Sequence, residues 1–209
     1  MKASHLTVGA VALLTALSAG REAAAQSLIH QGFMARLSLG IGYLSASESG
    51  SAGDLTISGL TGTMNLALGV FVVPNLALHG TVWGGSAINP EVSVGSVSAT
   101  TANVTLTAVG LGVGATYFFQ PFDVYASASI GASVVEAERV SGLVTVRAQT
   151  GTGWGLNLLV GRQFALSPTF GLGGAFQVSY QSNPDRSSSG ASYALSTLHA
   201  SLMGTLSFH

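Results

Sequence analysis

Apolar side chains fall at every second position along most of this chain, and that period of two decides what it can fold into. Phe33, Ala35, Leu37, Leu39, Ile41 and Tyr43 alternate with Arg36, Ser38, Gly40 and Gly42. Successive side chains of a strand point to opposite faces, so the segment is a strand with one apolar face and one small or polar face. The pattern returns in eight segments, near 33–45, 59–72, 76–85, 103–119, 123–135, 152–164, 169–181 and 193–208. Each is roughly the length that crosses a bilayer as a tilted strand. Beyond residue 25 no apolar run is long enough for a membrane helix.

The surface such strands present is foreign to water. Charged residues make up 7% of the 209 residues, against about 25% in a soluble domain. The 28 glycines argue against a helical bundle, in which each interior glycine costs about 1 kcal/mol relative to alanine. The first 25 residues read as a cleaved secretory signal: Lys2 is the charged n-region, Leu6 to Leu17 the apolar core, and Ala23-Ala24-Ala25 the small-residue site before Gln26. An uncleaved anchor would need a longer apolar run of about 20 residues. Residues 26–209 then form one barrel domain. Removing the signal removes the one lysine, Lys2. With no basic patch the chain has no nucleic-acid partner in prospect. The absence of cysteine excludes disulfides and thiolate metal sites.

Connections between the strands alternate in character. Three are tight and contain proline, at Val73-Pro74-Asn75, Gln120-Pro121-Phe122 and Ala165-Leu166-Ser167-Pro168; four are long and rich in Ser, Gly and acids, near 46–58, 86–102, 136–151 and 182–192. Proline presets a turn and cannot donate to a sheet ladder. Short turns on one side and long loops on the other are the arrangement of a membrane barrel. Strands in lipid must close, because an open edge leaves backbone groups unsatisfied. The expected fold is therefore all-β, an eight-stranded antiparallel up-and-down transmembrane β-barrel. A soluble barrel with its apolar face inward would leave an almost uncharged Gly/Ser/Thr face in water. Phe33, Tyr117, Phe119, Phe164, Phe170 and Phe208 at one border, with Tyr43, Trp154 and Tyr180 at the other, form two interfacial girdles. Tyr193 falls near the long-loop border as well, and Trp83 falls there with a phase that points it inward.

The same phase gives the interior: Arg36, Asn65, His79, Asp123, Asn157, Gln177 and His199 are its polar residues, among many glycines. Small residues let bulky inward neighbours pack closely, or else leave a wetted bore; the narrowness of eight strands favours packing. Arg36 and Asp123 lie near the same end. The reading is that both reach water at the barrel mouth, with a direct contact as the alternative. His79 and His199 read as hydrogen-bonding groups of the lumen, since further metal ligands are not in view. Arg162 has lipid-facing phase two residues from Phe164, a position suited to snorkelling toward headgroups. Residues 136–151 fit a hairpin about Ser141-Gly142, with Val140 opposite Leu143 and Glu136 opposite Arg147. Val92, Val94 and Val97 suit a second hairpin within 86–102.

Taken together, the Ala23-Ala24-Ala25 signal, the eight strands, the proline turns and the final alternation Leu198, Ala200, Leu202, Leu206, Phe208 resemble the small outer-membrane barrels of the OmpA/OmpX type. The resemblance spans 26–209. It implies the bacterial outer membrane, outer-membrane lipid as surroundings, and delivery by the barrel-assembly machinery. That machinery reads a terminal aromatic, and here His209 follows Phe208. Ser182 invites comparison with lipid A deacylase barrels, but Gln181 stands where their histidine is expected, and no general base is in reach. The expected role is non-enzymatic, without a cofactor or metal: structural or surface-interacting, through loops 86–102 and 136–151. A narrow pore or carrier for small or apolar molecules is the alternative, and a lipid-modifying enzyme a distant third.

Overall fold

The computed structural model describes residues 30–50, 53–95, 97–142, 144–186 and 192–209. The signal segment 1–25 lies outside the described residues. The chain forms β1 (Phe33–Gly50), β2 (Gly53–Val73), β3 (Leu76–Ile88), β4 (Glu91–Val94), β5 (Val97–Thr100), β6 (Val104–Phe119), β7 (Val124–Ser141), β8 (Val144–Gln149), β9 (Gly153–Ala165), β10 (Phe170–Arg186) and β11 (Ser192–Phe208). Eight of these make the wall, in the order β1-β2-β3-β6-β7-β9-β10-β11, every neighbour antiparallel. β1 then pairs with β11 from Ala35↔Phe208 to Ser47↔Ser196, which closes the barrel and leaves no edge in the lipid.

The alternation sorts as its phase requires. Leu39, Ile41, Leu60, Leu111, Val113, Leu158 and Leu202 are exposed on the outer wall. All nine aromatic residues expected at the borders are exposed too, and six of them pair: Tyr117 meets Phe119 edge-on at 4.9 Å, Phe170 meets Phe208 at 5.1 Å, and Trp154 lies 5.6 Å from Tyr180. Trp83 belongs to neither girdle; it is wholly buried inside. Tyr193 lies in β11, and its side chain is outside the described residues.

Inward glycines explain how a narrow barrel holds large side chains. A Cβ at Gly110 would run into the Trp83 indole, and one at Gly161 would come within 2.6 Å of the Tyr125 ring. The same indole reaches to 3.2 Å from the Cβ position of Gly155, so it bridges the interior from β3 to β9. The lumen is thus filled by a few big side chains set against bare backbone.

Three of the four long connections are largely strand rather than loop. Residues 46–50 and 53–58 continue β1 and β2, paired as far as Gly50↔Gly53. Sequence reading ends those strands early because the phase inverts there. Past Tyr43 the apolar residues turn inward, as Leu44 and Ala46, and the outward ones become Ser45 and Ser47. β2 does the same with Ile57 inside, β6 with Leu106 and Ala108, β7 with Val135 and Ala137, and β11 with Leu195; these residues form one apolar cluster at the outer end. The wall that is greasy outside in lipid becomes greasy inside in water, as burial in each solvent requires.

Candidate functional site: a packed lumen and two surface hairpins

Below that outer cluster the interior is polar, then apolar again. At the periplasmic end Met34, Phe118, Tyr125, Leu159 and Met203 pack together with the partly buried Phe71. Between the two apolar layers lie the inward polar groups. Asn65 donates to the Gln177 Oε1 at 3.0 Å, and His199 Nε2 meets the Thr61 hydroxyl at 2.9 Å. Asn157 is buried on β9. His79 Nε2 lies 2.9 Å from Thr116 Oγ1, and the Thr116 hydroxyl is 2.9 Å from Ser127 Oγ.

Arg36 joins this network and departs from its expected place. It is 1% exposed, so it does not reach water at the mouth. Nor does it meet Asp123. Its guanidinium donates to Thr116 Oγ1 at 3.3 Å and Ser127 Oγ at 3.1 Å, and lies 4.9 Å from the centre of the Tyr125 ring. Hydroxyl oxygens and an aromatic face hold the charge in place of a carboxylate. Thr116, Ser127 and Tyr125 are 80 or more residues distant in sequence. Their inward phase was the one available signal, and it did not say which of them would meet.

Asp123 sits in the turn before β7 with positive φ, and its carboxylate accepts from Gln120 at 3.1 Å. His30 Nε2 stands 3.5 Å from it. The His30 ring stacks on Phe118 at 4.2 Å and meets His209 edge-on at 4.7 Å, while His209 Nε2 lies 3.0 Å from Gln163 Oε1. The residue after the terminal Phe208 is therefore tucked under the barrel, where it and His30 cap the periplasmic end. Burial lowers the pKa of both rings. It takes His209 to about 3, with His30 and Arg36 pushing the same way, and outweighs the opposing pull of Asp123 on His30. An unfolded histidine takes up its proton near pH 6.5, and the folded one resists until far lower. The cap's stabilisation is therefore complete above about pH 6.5 and is lost as pH falls toward about 3. Thermal unfolding in detergent across that window is expected to show a falling midpoint in the native chain and a shallower fall in His209→Phe. Equal slopes would refute the assignment.

Ser182 has outward phase on β10, whereas His79 and His199 point into the lumen and His30 and His209 cap its base. Among the described residues no histidine stands beside it. Among the described residues, too, no cluster of His, Asp and Glu could hold a metal ion.

At the outer end two hairpins rise from the wall. β4 pairs with β2 from Ser58↔Glu91 to Leu55↔Val94, above the end of β3, and β5 pairs with β4. β8 folds back on β7 from Ser141↔Val144 to Glu136↔Gln149. This register differs by two residues from the expected one. Gly142 has φ of +61°, which suits the first position of a tight hairpin turn, so the turn begins at 142 rather than at 141. Arg147 consequently stands opposite Glu138, bonded at 2.8 Å, with Glu136 at 3.6 Å; Val140 pairs with Thr145, and Leu143 lies outside the described residues. Among the described residues β5 and β8 each have one strand partner, so each offers a free backbone edge. Every residue of both strands is exposed, including Val97, Val144 and Val146.

A family model described as outer membrane protein beta-barrel domain matches residues 9–202. No curated protein matches the chain significantly. Among solved structures, the chain is similar to OprG from Pseudomonas aeruginosa, with TM-score 0.52 and 10% identity over 88% of this chain and 99% of that one. It is similar to AlkL, solved in DMPC lipid bilayers, with TM-score 0.52 and 15% identity over 90% and 95%. Neisserial surface protein A aligns with TM-score 0.49 and 16% identity over 85% and 96%.

Proposed function

The chain belongs to the outer membrane protein beta-barrel domain family, and from that premise we propose that it is a non-enzymatic, non-conducting barrel whose work is done at the cell surface by the β4–β5 and β7–β8 hairpins. Family membership implies the bacterial outer membrane. The observation that carries the reading is the state of the lumen. Trp83, Tyr125, Asn65 and Gln177 are 0% exposed, whereas a water-filled bore would leave inward side chains wet. With the interior filled, the exposed chemistry lies outside, where a free strand edge flanked by valines suits pairing with an extended segment of a partner. Residues 1–25 serve as the export signal in this proposal, and the alternation ending at Phe208 serves as the segment read by the assembly machinery.

Planar-bilayer recordings of the purified chain are expected to show no stable single-channel steps. On intact cells, adding extracellular-matrix or cell-surface proteins is expected to protect residues 136–150 from protease, and Val144→Asp with Val146→Asp is expected to abolish that protection. Steady conductance would favour the pore reading. Unchanged proteolysis with every partner would remove the role assigned to the β7–β8 hairpin.

A further inference from the structure

We propose that the lipid-facing wall carries a site for one anionic phospholipid of the periplasmic leaflet, with Arg162 on its phosphate and an acyl chain in the groove beside it. Within the apolar belt Arg162 is the one cation on the outer wall among the described residues. It lies three residues from the end of β9, next to a short turn, which puts it within about 10 Å of the periplasmic border. Its guanidinium rests over the Phe164 ring, 5.0 Å from the centre, and Phe164 is nearer that border. The charge is therefore held at headgroup level rather than at mid-bilayer.

The register builds a groove next to it. Arg162 is opposite Gly174 on β10, and Gly174 is opposite Gly204 on β11. Neither glycine is required by crowding. A Cβ at Gly174 would find its nearest atom at 3.8 Å and one at Gly204 at 3.9 Å. Inward glycines such as Gly110 lack a side chain because one would collide; these two lack one where there is room. The missing side chain at Gly174 leaves a groove of about 630 Å³, bordered by Arg162, Val160, Phe164, Phe176 and Leu202 with Gly174 as its floor. It is apolar along its length and cationic at its periplasmic end. That is the complement of a phospholipid with a negative headgroup, whose phosphate suits the guanidinium fork. A zwitterionic lipid offers the same tail but a weaker head.

The test uses the full-length barrel in nanodiscs of equal phosphatidylglycerol and phosphatidylethanolamine, released for native mass spectrometry. One basic side chain near the membrane surface corresponds to an enrichment of phosphatidylglycerol of about fivefold. Arg162→Gln is expected to bring the retained lipids to parity, and Arg162→Lys to keep most of the preference. Gly174→Leu, which has room for its side chain, is expected to lower the total lipid retained while heat-modifiable migration on gels stays normal. Undiminished enrichment in Arg162→Gln, or unchanged retention in Gly174→Leu, would overturn the site. A dimer lost on Gly174→Leu would overturn it as well, by giving the groove to a second copy of the chain.

Discussion

Trp83→Ala is expected to destabilise the barrel by about 3–5 kcal/mol and to let water into an interior still closed at both ends by its apolar layers. The indole is wholly buried, lies against Gly110 and reaches across to Gly155. Nothing adjoining can fill the space it leaves, because the neighbours that accommodate it have no side chains. The void sits among hydroxyls and amides, so it fills with water instead of staying dry. Two readouts separate the effects. Thermal unfolding in detergent reports the lost packing, and backbone amide exchange at Gly110 and Gly155 reports the admitted water. Unaltered stability together with unchanged amide exchange would show that the indole is not the cross-member described here.

Gly131→Val is expected to cost at least about 3 kcal/mol. Gly131 and Gly112 face each other across β7 and β6. A Cβ on either would meet the backbone of the opposite strand, the Leu111 carbonyl for Gly131 and the Ile130 carbonyl for Gly112. A flexible side chain could move aside; a ladder of hydrogen bonds cannot. The expected outcome is loss of the heat-modifiable band and accumulation of unfolded chain. Gly80→Val supplies the contrast. It too lies in a strand, but on the lipid face, where the nearest atom to a Cβ is 4.0 Å away, and its folding is expected to be nearly normal. Equal yields from the two variants would remove the distinction between required and optional glycines.

Wall and turns were legible because each is a local pattern: a period of two, a proline. Strand number and closure follow from those patterns plus the demand that backbone groups be paired in lipid. What escaped was everything that depends on strands far apart in sequence meeting inside. Arg36 on β1 is held by residues of β6 and β7, and no spacing within β1 could announce it. Trp83 was ambiguous because its type favours a membrane border while its phase favours the interior; the phase prevailed because Gly110 and Gly155 had left room. The register of the β7–β8 hairpin was missed by two residues because it hung on which residue takes positive φ, and Gly142 takes it as the first residue of the turn. His209 reads in sequence as an oddity after the final aromatic, and only the fold brings it onto His30. The run 46–58 looked like a loop because its composition is polar and its alternation changes sign.

That change of sign also sets a height. From Phe33 to Tyr43 a tilted strand rises about 25 Å, the depth of the apolar band of such barrels. β1 then continues seven residues to Gly50, which at the same tilt adds roughly 18 Å. The barrel is thus a mast with its own dry interior above the waterline. Its hairpins are carried clear of the headgroups on paired strands, and under the surface role proposed above that height is where a partner would be met. Shortening β1 and β2 together by an even number of residues would preserve the faces and lower the β4–β5 hairpin that β2 carries, making its reach a property that can be varied separately from its exposed edge.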